Sequence, residues 1–155
     1  MQTNIRIDDK GTARIAGFAS ATLSNITLED VGEPVETRWC SPELLHPGAF
    51  GLTRAKPTKS SDIYAFGMLA YEVGSSFHVV SRSYSIYLQI FSGRVPFHDR
   101  QDVAAIITVI TTNERPHRPT HKELSDRLWE MIERCWRKDP SQRPTIREAV
   151  TFLER

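Results

Sequence analysis

Residues 61–73 are the stretch that most constrains the fold, because apolar side chains occupy nearly every direction around a helix built from them. They are Ile63, Tyr64, Phe66, Met68, Leu69, Ala70, Tyr71 and Val73. A helix without a polar face is normally buried in the middle of a domain. The chain has 155 residues, which is enough for one domain with a real core. We therefore predict a buried central helix at 61–73 with the other elements packed around it.

Three further segments show the spacing of amphipathic helices. Their apolar stripes are Val103, Ile106, Ile107 and Ile110, then Leu128, Met131, Ile132, Cys135 and Trp136, and finally Ile146, Ala149, Val150 and Leu153. Asp99 and Ser125 are predicted to cap the first two helices, and Thr145 with Glu148 has the spacing of a capping box before the third. Ser41 is predicted to cap a short helix that has Pro42 at its first position.

A short β-hairpin is predicted at the start of the chain. Ile5-Arg6-Ile7 and Ala13-Arg14-Ile15-Ala16 alternate in polarity and flank a turn at Asp8-Asp9-Lys10-Gly11. The expected fold class is therefore mainly α (α+β), a helical bundle around a buried central helix with a short N-terminal β-hairpin.

Composition and charge exclude several classes of function. The net charge is +1 and there is no basic run, so neither nucleic acid nor an anionic membrane is an expected partner. No stretch is apolar enough to span a bilayer, and the first residues lack the apolar core of a signal peptide. Cys40 and Cys135 then fit a reducing, cytoplasmic compartment without a disulfide. The five histidines show no ligand spacing, so we expect no metal site.

Three unusual strings occur in one order along the chain. They are Arg38-Trp39-Cys40-Ser41-Pro42-Glu43, Ser61-Asp62-Ile63-Tyr64-Ala65-Phe66-Gly67 and Cys135-Trp136-Arg137-Lys138-Asp139-Pro140-Ser141-Gln142-Arg143-Pro144. Their order resembles the C-terminal lobe of a eukaryotic protein kinase, most closely the tyrosine-kinase-like group. The resemblance implies a parent activity that transfers the γ-phosphoryl group of ATP, with Mg²⁺, to a Ser/Thr or Tyr hydroxyl of a protein partner.

The resemblance extends to the position that holds magnesium in kinases. Asn4 matches the Asn that closes the catalytic loop, and Gly17-Phe18-Ala19 stands where the D-F-G motif belongs. Gly17 thus replaces the metal-binding aspartate and offers no side-chain oxygen to Mg²⁺. The alternative for Asn4 is a plain polar residue before a strand.

The resemblance also implies a partial domain. In this family the glycine-rich loop, the strand lysine and the catalytic-loop aspartate all precede the position of Asn4. We therefore expect residues 1–155 to be a partial kinase domain, from the end of the catalytic loop onward. We expect it to be catalytically inactive and to bind neither ATP nor Mg²⁺ by itself.

Several residues resemble the family's scaffold. Ser41-Pro42-Glu43 is similar to the A-P-E motif, whose Glu pairs with an Arg that matches Arg143; the alternative is two unrelated surface charges. Asp62 resembles an aspartate that accepts hydrogen bonds from the catalytic loop, and otherwise it is a favourable charge at a helix N-terminus. Trp136 is expected to be a core residue rather than a ligand-stacking one.

Residues 20–37, up to Thr37, occupy the position of the activation segment. Conceivable phosphorylation sites there are Ser20, Thr22, Ser24 and Thr27, although surface loops are often rich in Ser and Thr without being modified. Glu36 stands where the family usually has a threonine, which weakens the case for ordinary substrate handling.

Residues 74–89 interrupt the resemblance, because they contain five serines and no helical stripe. They represent either a retained intron, since both possible splice edges can be encoded, or a natural surface insertion, which costs little in loop entropy.

Three functions remain open from the sequence. The chain is a truncated product of a kinase gene, a pseudokinase-like module that binds proteins, or a non-functional fragment that folds poorly.

Overall fold

The computed structural model describes residues 5–10, 12–18, 37–74, 95–101, 103–119 and 124–154. Strand β1 (Ile5–Ile7) pairs antiparallel with β2 (Ala13–Ile15), with Ile5 opposite Ile15. Asp8 closes the connection, because one of its carboxylate oxygens accepts hydrogen bonds from the backbone amides of Lys10 at 3.0 Å and Thr12 at 2.9 Å.

Five α-helices make up most of the described structure. They are α1 (Pro42–Leu45), α2 (Lys59–Gly74), α3 (Val103–Thr111), α4 (Asp126–Cys135) and α5 (Ile146–Leu153). Short 3-10 turns lie at Thr37–Trp39, Pro47–Phe50 and Pro140–Gln142. The prediction of a mainly helical fold is confirmed for the described residues.

Helix α2 is the core helix that the sequence predicted, extended by two residues at its start and one at its end. Its side chains Tyr64, Met68 and Tyr71 are buried in one cluster with residues of α3 and α4. Gly67 lets α4 come close: a Cβ at this position would lie 2.7 Å from the Cβ of Cys135. Helix α2 therefore packs most closely against α4, which in turn contacts α5, while α1 contacts α3.

The two predicted caps of the C-terminal helices are confirmed. The hydroxyl of Ser125 accepts a hydrogen bond from the backbone amide of Leu128 at the start of α4. Thr145 and Glu148 form a complete capping box at the start of α5. Each satisfies amides that the first helical turn leaves unpaired.

Of the two other predicted caps, Asp99 was wrong and Ser41 was right in position only. Helix α3 begins at Val103, so Asp99 lies too far upstream to cap it and instead pairs with Arg100 at 3.6 Å. Ser41 does occupy the position before α1, but its side chain makes no capping hydrogen bond. Its carbonyl oxygen instead accepts hydrogen bonds from the backbone amides of Leu44 and Leu45, so Ser41 contacts α1 through its backbone.

The predicted core stripe of α5 was also wrong in part. Ala149 is fully buried, but Ile146, Val150 and Leu153 are 61%, 44% and 51% exposed. Phe152, which the stripe left out, packs against the core instead. The period identifies the apolar side of a helix, whereas burial depends on a neighbouring element, and in the described structure α4 covers another side of α5.

None of the described helices combines the length and the apolar character needed to cross a lipid bilayer.

Candidate functional site

The site is built around a buried ion pair between α1 and the segment that precedes α5. The guanidinium of Arg143 donates hydrogen bonds to both carboxylate oxygens of Glu43, at 2.6 and 2.8 Å. The Arg143 side chain is 0% exposed and that of Glu43 is 5% exposed. This two-point geometry is the strong form of an arginine–carboxylate contact. The structure thus brings together the two residues that the sequence comparison paired.

Arg143 has a hydrogen bond for every one of its donors. Its remaining N–H groups bind the backbone carbonyl oxygens of Arg137 at 2.8 Å, Ser60 at 3.0 Å and Lys138 at 3.2 Å. A buried guanidinium is tolerated when all five donors are used. Arg143 therefore ties α1 to the start of α2 and to the turn before α5.

The electrostatics of Glu43 follow from this geometry. Burial by itself raises the pKa of the carboxyl group, but hydrogen bonds and charge from Arg143 outweigh it and hold the pKa below the ordinary value of 4.5. The pair is therefore ionised at neutral pH.

Tyr64 of α2 lies beneath two arginines. The guanidinium carbons of Arg143 and Arg115 lie 5.1 and 5.3 Å from the centre of its ring. These distances are within the range of a cation–π contact. Burial raises the pKa of the Tyr64 phenol, so the ring stays neutral beside both cations. Arg115 also donates to the carbonyl oxygen of Trp136 at 2.8 Å, which joins the end of α4 to this layer.

The residues before α1 are held by two further contacts. Arg38 donates to the carbonyl oxygens of Pro96, Phe97 and Arg100 at 2.8, 2.5 and 2.6 Å. The indole N–H of Trp39 donates to a carboxylate oxygen of Glu72, a residue of α2 that is 0% exposed, at 3.2 Å. The segment 37–45 is thereby attached to the turn before α3 and to α2, as well as to Arg143.

The position compared with D-F-G lies just after β2. Gly17 has a left-handed backbone, with φ of 73°, and Phe18 is 65% exposed. The carboxylate of Asp8 is engaged elsewhere, since its second oxygen binds Arg14 at 2.9 Å. The hydrogen bond from the backbone amide of Thr12, followed by that from Arg14, lowers the pKa of Asp8. Asn4, Ala19 and residues 20–36 lie outside the described residues.

Gly17, which the sequence analysis compared with the metal-binding aspartate of D-F-G, has no side-chain oxygen and so does not fit Mg²⁺. Within the described ranges, no three His, Cys, Asp or Glu side chains are grouped closely enough to hold a metal ion.

Asp62 is exposed in the first turn of α2. Partial desolvation raises the pKa of its carboxyl group. Its position suits a negative charge near the helix N-terminus. Trp136 is buried and packs edge-on against Trp129, with ring centres 5.5 Å apart, so its contacts are those of a core residue.

Sequence reasoning missed Arg38, Glu72 and Arg115. Arg38 and Arg115 bind backbone carbonyl oxygens. Every residue has such an oxygen, so the sequence does not show which ones accept these hydrogen bonds. Glu72 interrupts the apolar pattern of α2, and a lone carboxylate on a helix that should be buried all round is a signal that could have identified it.

Comparisons with known proteins match the chain to protein kinases. The model of the protein tyrosine and serine/threonine kinase family matches residues 1–153. The chain is 31% identical over 153 residues to the dual specificity protein kinase pyk3 of Dictyostelium discoideum, covering 97% of this chain and 9% of that protein. It is 27% identical to the serine/threonine/tyrosine-protein kinase HT1 of Arabidopsis thaliana, covering 98% and 32%.

A third relative is the cytoplasmic tyrosine-protein kinase BMX of Mus musculus, which is 24% identical over 97% of this chain and 20% of its own length. The chain thus spans about a third or less of each of these relatives.

Proposed function

This chain belongs to the protein tyrosine and serine/threonine kinase family, and from that premise we propose that it is a pseudokinase-like module that binds a protein partner and does not transfer phosphate. Gly17 is the observation that carries the proposal. Phosphoryl transfer depends on positioning and on charge neutralisation by magnesium, which kinases hold with the aspartate of D-F-G. Glycine at this position removes the main protein charge on the metal.

The scaffold contacts support a folded module. The Glu43–Arg143 pair joins α1 to the segment before α5, and two arginines lie over the ring of Tyr64, so buried contacts connect the described helices into one lobe. We assign residues 1–155 to a partial kinase domain of the tyrosine-kinase-like group, located in the cytoplasm, with 74–89 as an insertion or retained intron. Comparison of the transcript with the genomic sequence decides between those two origins.

The decisive experiment is a phosphotransfer assay on the purified 155-residue chain. The chain is incubated with γ-labelled ATP, Mg²⁺ and a generic protein acceptor, and we expect no transfer above the level without enzyme. The Glu43→Lys variant, which places a second cation against Arg143, serves as a control for contaminating kinases. Transfer by the wild-type chain that is lost in this variant would overturn the proposal.

Folding is tested separately. We expect the chain to unfold cooperatively in urea, with near-ultraviolet circular dichroism and fluorescence changing together. A molten or aggregating product would instead support the hypothesis that the chain is a non-functional fragment.

A second candidate function, part of an active kinase, is favoured by the relatives' names and by the small share of their length that the chain covers. In that case ATP and Mg²⁺ are the cofactors and a protein hydroxyl is the acceptor. A titration of the wild-type chain with ATP tests it, because an active kinase needs Mg²⁺-dependent ATP binding, and absence of binding contradicts it. The Gly17→Asp variant shows in the same titration whether the missing carboxylate alone limits binding.

A further inference from the structure

Arg38 makes an unusual set of contacts for one side chain. One of its terminal nitrogens donates to the carbonyl oxygens of Pro96 at 2.8 Å and Phe97 at 2.5 Å, and the other donates to that of Arg100 at 2.6 Å. These acceptors are 58 to 62 residues away in sequence. A single guanidinium thus defines the shape of the turn that leads into α3.

The turn it holds contains a backbone outlier. Phe97 has φ of 55°, although it is a bulky residue that normally avoids the left-handed region. Phe97 is 6% exposed and belongs to the same buried cluster as Ile106 and Ile110 of α3. Its carbonyl oxygen accepts the backbone amide of Arg100 at 2.9 Å, in addition to Arg38. Such a conformation persists when its surroundings over-determine it.

We propose that Arg38 is a conformational latch, whose guanidinium holds Phe97 in the left-handed conformation and so couples the segment 37–45 to the start of α3. The two states of the device are the two backbone conformations of Phe97. When Arg38 withdraws, Phe97 relaxes to negative φ and the carbonyl oxygen that accepts the amide of Arg100 turns away.

The chemistry of the side chain explains why an arginine is needed. Its planar fork presents donors on two nitrogens in fixed directions, whereas the ammonium of lysine is a single point. Three acceptors spread over five residues therefore require the fork rather than the charge.

The contacts of Trp39 and Glu43 decide what the latch couples. Trp39 is bound to Glu72 of α2, and Glu43 is bound to Arg143, so the segment 37–45 is firmly placed. Arg38 directly follows Thr37, the last residue of the stretch that resembles an activation segment. A displacement of segment 37–45 at Arg38 would therefore be felt at the turn before α3, and a change in that turn would act back on the segment.

The latch is tested by NMR on the full 155-residue chain. Backbone chemical shifts and three-bond couplings of Phe97 report its φ, and amide hydrogen exchange of Arg100 reports the turn. In Arg38→Lys and Arg38→Gln we expect Phe97 to shift toward negative φ. The Arg100 amide should exchange at least about tenfold faster, as after the loss of one hydrogen bond to a charged group. Arg147→Gln, at an exposed arginine of α5, should change neither.

A left-handed Phe97 and a slow Arg100 amide in a folded Arg38→Gln variant would overturn the latch. If both variants unfold, native-state exchange of the wild-type chain in low urea decides the question. The amides of Arg100 and of Cys40, which donates to Thr37, should then open with the same free energy, and separate openings contradict the coupling. No nucleotide or partner enters these measurements, so their failure leaves the proposed function untouched.

Discussion

Glu43 and Arg143 are 100 residues apart in sequence and are joined by two hydrogen bonds in a site closed to solvent. Removing one member of such a pair strands a buried charge, which costs about 3–5 kcal/mol, whereas replacing both members by apolar residues is often far less harmful.

Glu43→Leu should therefore lower the free energy of unfolding by about 3–5 kcal/mol, measured by urea denaturation. Glu133→Leu, at an exposed position of α4, is the matched control and should change it by no more than about 0.5 kcal/mol. In an Arg143→Met background, Glu43→Leu should cost much less, because no charge is left unpaired. Equal costs in both backgrounds would show that the two residues do not act as a pair.

The acid stability of the chain should depend on Glu43. The pKa of this carboxyl group is below 4.5 in the folded chain, so its contribution is fully present above the unfolded value and is lost as pH falls through the folded value. Glu43→Gln should then flatten the decline in the free energy of unfolding below pH 4.5. Glu133→Gln, at an exposed position of α4, should leave the decline unchanged. An unchanged acid limb in Glu43→Gln would contradict this assignment.

Gly67→Ala should destabilise the chain although alanine favours helix. The new Cβ would lie 2.7 Å from the Cβ of Cys135, and overpacking of this kind costs about 1–3 kcal/mol. Gly48→Ala is the control, since no atom lies within 4 Å of the added Cβ. In the double variant Gly67→Ala/Cys135→Ala the Cβ at position 135 is still present, so we expect no recovery of stability. Recovery would place the clash at the sulfur instead. The three single variants and the double variant are compared by thermal and urea unfolding.

Both cysteines should be unreactive in the native chain. Burial, aided by the charge of Glu43, raises the pKa of the Cys40 thiol to about 12, and burial raises that of Cys135 to about 11. At pH 8 only about one thiol in a thousand or fewer is then ionised, and thiolate is the reactive form. Ellman's reagent should label two thiols per chain in urea and almost none without it.

An exposed cysteine made by Thr53→Cys shows the rate of an accessible thiol under the same conditions. Native labelling of Cys40 or Cys135 at that rate would mean that these thiols are not buried in solution.

Local patterns predicted the local elements well. The all-round apolar stretch at 61–73 indicated the central helix, and the Ser125 and Thr145–Glu148 caps were found because capping is a contact between near neighbours in sequence. Asp99 failed because an acidic residue before an apolar stripe does not specify at which residue the helix begins. The exposed Ile146, Val150 and Leu153 show that periodicity cannot say whether another element covers a face.

The candidate site was predictable only where motifs marked it. The paired charges at 43 and 143 were suggested by the strings around them, and Gly17 by its place after the hairpin. The contacts of Arg38, although it opens one of those strings, and of Arg115 could not be predicted, because their partners are backbone carbonyl oxygens that every residue carries. The left-handed Phe97 was equally hidden, since nothing in its identity favours a positive φ.

The separation of Glu43 from Arg143 also bears on synthesis at the ribosome. The carboxylate of α1 emerges from the ribosome 100 residues before its counterion is made. Contacts that span such a distance form late, since a long loop has to close first. In the meantime the unfinished chain exposes an unpaired charge beside apolar surface, the kind of intermediate that chaperones bind.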